Sequence, residues 1–196
     1  MKKEKYTILY VDSENLKFYI KKVINQGSQT ADANSLDFDK LFSSTLKGIM
    51  VNTKRFYSAK LRVHPDFTKK SQELIQNQRV LKSKLEKQGF EFIISGNVRG
   101  QTIALNGKSK VVFREKGVDV KIAVDMVAEA CDEKVERIIL CSSDSDLQPA
   151  VTEVKKRGVE VIYLGFEMQP NKGLMYTTDR AILMRNAEIL DAVQPG

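Results

Sequence analysis

Tyr6-Thr7-Ile8-Leu9-Tyr10-Val11-Asp12 is the stretch whose reading decides the fold. An apolar run with little polar alternation is what a strand needs when both faces of its sheet are covered, as in parallel sheets. This run stops on a carboxylate. Helical spacing takes over at once, since Leu16, Tyr19, Ile20, Val23 and Ile24 share one face and Gly27 can close the helix. The polar stretch Gly27 to Ser35 reads as a surface loop, and Phe38, Leu41, Phe42, Thr45, Leu46 and Ile49 mark a second helix.

The alternation repeats outward. Residues 53–59, 90–94, 137–141 and 159–164 predict four further strands. A long polar helix carrying Leu74, Ile75, Leu81 and Leu85 lies between Pro65-Asp66 and Gly89, and another, with Pro149 tolerated in its first turn, covers Leu147 to Val154. Such an order predicts an α/β chain with a central, mainly parallel sheet of about five strands covered on both faces. Residues 96–117 break the rhythm. Gly96, Gly100 and Asn106-Gly107 are turn signals around β-prone runs at 101–105 and 110–114, which reads as a β-hairpin insertion flanking the crevice. The tail, with Ala181, Ile182, Met184, Ile189 and Leu190, predicts one or two short elements on the sheet edge.

At 196 residues the chain fits one domain, 1–196, with a core over 6–165 and a C-terminal element over 166–196. Hydrophobic residues at 42% and charged residues at 29% describe a soluble globular protein. The 32 Lys and Arg against 25 Asp and Glu give a formal +7, which suits a polyanionic partner but also serves plain solubility. Cys131 and Cys141 are too few for a disulfide framework or a zinc site and are expected as buried thiols. The apolar run that ends at Asp12 is too short for a signal peptide or a membrane span, so a cytoplasmic home without membrane attachment is expected.

Four aspartates then fall where such a sheet gathers its ligands, at strand ends and helix starts. Asp12 ends the first strand, Asp119 opens the best-patterned helix, and Asp144 and Asp146 follow Ile138-Ile139-Leu140-Cys141. Ile122, Ala123, Met126, Val127 and Ala130 form a stripe headed by Asp119, which aims that carboxylate at the sheet; Asp125 falls toward the flank. Carboxylates brought together repel unless a divalent cation joins them. Each also has a plainer use as a helix cap, and one of Asp144 and Asp146 is expected to cap in any case. Asn15 faces the same crevice and can bond a carboxylate, a water or a phosphate, or simply solvent.

Basic residues Arg99, Lys108, Lys110, Arg114 and Lys116 cluster on the predicted insertion and are candidate phosphate contacts, against the reading of a solvated hairpin. Tyr10, Tyr57 and Phe113 can stack bases, although aromatics inside apolar runs more often belong to the core. His64 is the one histidine and lies in a loop beside Pro65; without a paired base, Ser or Cys nucleophilic catalysis is not expected.

Three segments in order, Tyr-Val-Asp-Ser-Glu-Asn-Leu at 10–16, Glu-Lys-Gly-Val-Asp-Val-Lys-Ile-Ala-Val-Asp-Met at 115–126 and Leu-Cys-Ser-Ser-Asp-Ser-Asp-Leu at 140–147, resemble the NYN domain family, the PIN-like nuclease group that includes LabA-like bacterial proteins. The likeness runs from residue 6 to about 165. It implies a PIN-like three-layer α/β/α sandwich whose acidic cluster binds Mg²⁺ or Mn²⁺ and cleaves RNA phosphodiesters with metal-activated water. Matched by position, Asp12, Asp119, Asp144 and Asp146 become the metal-binding and catalytic acids and Asn15 the accompanying asparagine, with the role of Asp125 open. Ser145 and Leu147 stand where the family often has Gly and Phe, and Glu14 where Gly commonly precedes the asparagine.

The leading expectation is therefore a metal-dependent endoribonuclease with RNA as partner, and self-association open. An RNA-binding or regulatory module that keeps the acidic rim with little turnover is the alternative. A small phosphate-ester hydrolase fits less well, because Glu14 stands where an aspartyl-phosphate mechanism needs a second aspartate. A receiver domain fits less still, since the acids do not keep its spacing.

Overall fold

The structure, a computed structural model, describes residues 6–26, 35–105 and 108–193, with backbone only for Asp66 and for residues 99–114. The elements run β1 (Tyr6–Asp12), α1 (Ser13–Gln26), α2 (Phe38–Thr45), β2 (Thr53–Lys60), α3 (Thr68–Lys87), β3 (Phe90–Leu105), β4 (Lys108–Lys116), α4 (Val118–Cys131), β5 (Val135–Cys141), α5 (Gln148–Lys156), β6 (Glu160–Phe166), α6 (Lys172–Thr177), β7 (Arg180–Met184) and α7 (Asn186–Asp191). Short 3-10 turns precede α3 at Pro65–Phe67 and α5 at Ser145–Leu147.

One seven-stranded sheet has the order β4-β3-β2-β1-β5-β6-β7. All neighbours are parallel except β3 and β4, which pair antiparallel from Asn97↔Lys116 to Leu105↔Lys108. The five expected strands are the inner β1, β2, β3, β5 and β6, and the short tail element is β7 at one edge. The expected hairpin is present as the antiparallel β3–β4 pair, and it is continuous with the sheet rather than set apart from it. β3 continues through Gly96 and carries β4 as the other edge of the sheet, because the turn signals there accommodate a register shift between Ser58 and Lys60 rather than ending the strand. Gly96 earns its place: it has φ +67°, and a Cβ there would sit 2.3 Å from the Lys116 carbonyl oxygen.

Two cores explain the unbroken apolar run. Leu9 and Val11 point into a cluster with Leu16, Ile20, Phe38, Leu41, Phe56, Leu85 and Ile189. Ile8 and Tyr10 point to the other side, into Ile122, Met126, Leu140, Val151 and Tyr163. Alternate β1 side chains thus enter opposite layers, which gives the α/β/α sandwich, with α1, α2, α3 and α7 on one face and α4, α5 and α6 on the other. Among the described residues no helix is long and apolar enough to cross a membrane. Cys141 is buried as expected, but Cys131 is exposed, because α4 ends there and turns it to solvent.

Candidate metal centre

The sheet grows outward from β1 in one direction through β2 and in the other through β5. That reversal opens a crevice beyond the carboxyl ends of β1 and β5, where sheets of this kind hold ligands. Asp12 is the last residue of β1, and Asp144 lies three residues beyond the end of β5. The turn from β4 into α4 delivers Asp119 to the same place: Asp12, Asn15, Glu115, Lys116, Asp119 and Asp144 line one cleft of about 410 Å³.

Asp12 is only 5% exposed, and its oxygens are fully engaged. Oδ1 accepts from the backbone N–H groups of Glu14 (3.1 Å) and Asn15 (3.2 Å), as a helix N-cap does for α1; Oδ2 accepts from Asn15 Nδ2 (2.9 Å) and Ser142 Oγ (3.1 Å). Four donors match the acceptor capacity of a carboxylate. Burial pushes its pKa up, against the opposing hydrogen bonds from Asn15, Ser142 and the Glu14 N–H. Asn15 carries the link further, because its Oδ1 accepts from Ser143 N (3.2 Å). One aspartate and one asparagine thereby clip the end of β1, the start of α1 and the loop after β5 together. Of the uses open to Asn15 from sequence, the structure selects the carboxylate bond.

Asp119, Asp144 and Asp146 come closest to one another: each offers a carboxylate oxygen, and the three lie within 4.8 Å. Asp144 Oδ1 accepts from Asp146 N (2.9 Å), so it is the cap expected in this loop, and that bond fixes the turn carrying Asp146. Asp119 is not the head of the buried stripe. Val118 starts α4 and is fully buried, which leaves Asp119 one residue round the helix, half-buried on the rim where its carboxylate meets the other two. Asp12 shares the cleft but stands outside this closest group. None of the four pairs with a lysine or arginine among the described residues. Three all-oxygen donors without histidine or thiol suit a hard divalent cation, whose charge would offset their repulsion.

Glu115 escaped the sequence reading. It is the last residue but one of β4 and lines the cleft, with Oε2 shielded from solvent and without a hydrogen-bond partner among the described residues. Burial, then the charges of Asp12, Glu14 and Asp119, push its pKa up to about 8. An unpartnered acidic oxygen beside three clustered carboxylates is a second sign that the cleft is built for positive charge. The one available signal was its place two residues before Gly117, inside the segment that carries Asp119.

Of the candidate phosphate contacts, Lys116 is exposed on the cleft rim. The side chains of Arg99, Lys108, Lys110 and Arg114 lie outside the described residues; their backbones sit on the β3–β4 ribbon, with Arg99 opposite Arg114. Tyr10 and Tyr57 are buried and stacked on each other at 5.8 Å, so they belong to the core, and the Phe113 side chain is outside the described residues. Asp125 accepts from Tyr57 OH (2.9 Å) and from Lys121 Nζ, which ties α4 to β2 beneath the site.

A family model described as the NYN domain matches residues 6–185. Among solved structures, a protein of unknown function from Vibrio parahaemolyticus RIMD 2210633 aligns with a TM-score of 0.61 at 18% identity, over 94% of this chain and 96% of that one, a likeness of fold. No curated protein matches the chain in sequence.

Proposed function

The chain belongs to the NYN domain family, and on that premise we propose that it is a divalent-metal-dependent endoribonuclease. The observation that carries this reading is the convergence of Asp119, Asp144 and Asp146 within 4.8 Å at the point where the strand order reverses. In this reading those three acids hold Mg²⁺ or Mn²⁺. When bound, such a cation supplies Lewis acidity, making water a nucleophile at neutral pH and offsetting charge on the phosphoryl oxygens.

The protein's own groups do the rest. Asp12 and Asn15 keep the ends of β1 and β5 in register, so that the loop bearing Asp144 and Asp146 holds its place against Asp119. Glu115, whose pKa is pushed up by burial and the neighbouring carboxylates, can accept from a water in the cleft or, when protonated, donate to a phosphate oxygen. Lys116 and the basic ribbon of Arg99, Lys108, Lys110 and Arg114 hold the RNA phosphates, which are otherwise repelled by the acids.

The test is cleavage of labelled single-stranded and hairpin RNA with Mn²⁺ and with chelator, by wild type, Asp119→Asn and Asp146→Asn. Asp146 is exposed, so its variant should fold normally. Each should lose at least about 100-fold in rate, more than supporting residues around a metal usually cost. RNA binding indifferent to chelator, with no product from wild type, would point instead to a binding module.

A further inference from the structure

A second concavity opens beside the acidic cleft. Leu61, Val63, His64, Leu74 and Val98, with Arg62 at the mouth, line a pocket of about 200 Å³. It adjoins the carboxyl end of β2 and the stretch of β3 beside it, where Lys60 pairs with Asn97; Asp12 pairs with Tyr57, three residues earlier on β2. Val98, in its wall, is paired across the β3–β4 ladder with Glu115, in the wall of the acidic cleft. Directly paired antiparallel residues point to the same face with Cα atoms about 4.5–5.5 Å apart, so the two concavities border adjacent strands.

The lip is held in place. His64 N–H donates to Ser71 Oγ (3.1 Å), and Phe67 N–H to the His64 carbonyl (3.1 Å). Ser71 is itself buried and donates to the Phe67 carbonyl at 2.8 Å. The His64 and Phe67 rings lie 5.6 Å apart, while Val63 and Leu74 leave apolar surface in water.

Apolar walls, an aromatic ring and an exposed cation at the rim are the elements with which proteins receive unstacked bases. The volume is below the roughly 300–1,000 Å³ of sites for drug-sized ligands, as expected for a single flat ring system. We propose that this pocket receives one nucleobase of the substrate strand, at or next to the phosphate presented to the acidic cleft, with Arg62 meeting the adjoining phosphate. The proposal rests on the nuclease reading for the identity of the strand.

Methyl NMR of the full chain with Ca²⁺ tests it. The probes are hexaadenylate and an abasic ribose-phosphate hexamer of equal charge, with Val63, Leu74 and Val98 reporting on the pocket and Val120 on the cleft, which it lines. Pocket methyls should shift with hexaadenylate and not with the abasic strand. Leu74→Trp, which fills the pocket from a partly exposed position, should weaken hexaadenylate binding by about 5- to 100-fold, the worth of one stacked base, and leave abasic binding unchanged. Equal shifts with both probes, shifts at Val120 alone, or none anywhere would overturn the proposal, and the wild-type comparison stands even if the tryptophan variant misfolds. Cleavage in Mn²⁺ is scored separately: cleavage without pocket shifts sinks the base site alone, and pocket shifts without cleavage sink the nuclease reading alone.

Discussion

Glu115→Gln should reverse a pH-dependent weakness of the metal-free protein. The carboxyl is held at about 8 in the folded chain against an ordinary 4.5. Below the lower value it is protonated in both folded and unfolded states and contributes nothing. Between the two the folded state binds more protons than the unfolded state, so stability falls as pH rises, and above about 8 the loss is complete. The shift multiplied by about 1.36 kcal/mol per pKa unit gives an upper bound near 5 kcal/mol. Glu115 is only partly buried, and solvent screening reduces this to about 1–2 kcal/mol. Urea unfolding in chelator from pH 5 to pH 9 measures it. The glutamine variant should match wild type near pH 5 and exceed it by that amount at pH 9, or by about 3–6 °C in Tm for a chain of this size. Adding Mn²⁺ should shrink the difference. Parallel stability curves for the two proteins across the range would refute the reasoning, since they would mean that the carboxylate ionises without penalty.

Two further perturbations probe the frame that carries the acids. Tyr57→Phe removes the hydroxyl that donates to Asp125 and leaves that carboxylate to Lys121; unfolding should cost about 1–2 kcal/mol less, and an unchanged urea midpoint would show that the bond between β2 and α4 contributes nothing. Gly96→Ala forces a left-handed φ on alanine and drives its Cβ against the Lys116 carbonyl. About 1–2 kcal/mol of backbone strain follows before any clash, with weaker Mn²⁺ binding because Glu115 and Gly117 are displaced; calorimetry showing wild-type metal affinity would argue against that coupling.

Much of this architecture could be read from residues. The run from Tyr6 to Asp12 needed two covered faces, and the structure supplies them, with Leu9 and Val11 in one core and Ile8 and Tyr10 in the other. The positions of Asp12, Asp119 and Asp144 on one cleft follow from strand ends and a helix start in an open parallel sheet. What stayed hidden depends on pairing between distant segments. The hairpin over 96–117 was legible from its turn signals and β-prone runs, but not that its first arm continues β3 and joins the main sheet where Lys60 pairs with Asn97. Glu115 enters the cleft through that same pairing. Asp119 sits one residue round from the buried stripe because Val118 begins the helix, a difference finer than periodicity resolves. Asp12 illustrates a different limit: its place was readable, but not that four donors would occupy its oxygens.

The shared-cation claim is tested most directly by anomalous diffraction from crystals soaked in Mn²⁺. A peak is expected among the carboxylates of Asp119, Asp144 and Asp146, with Glu115 and Asp12 bordering it. Carboxylates turned apart, or joined to arginine or lysine with the manganese elsewhere, would contradict it.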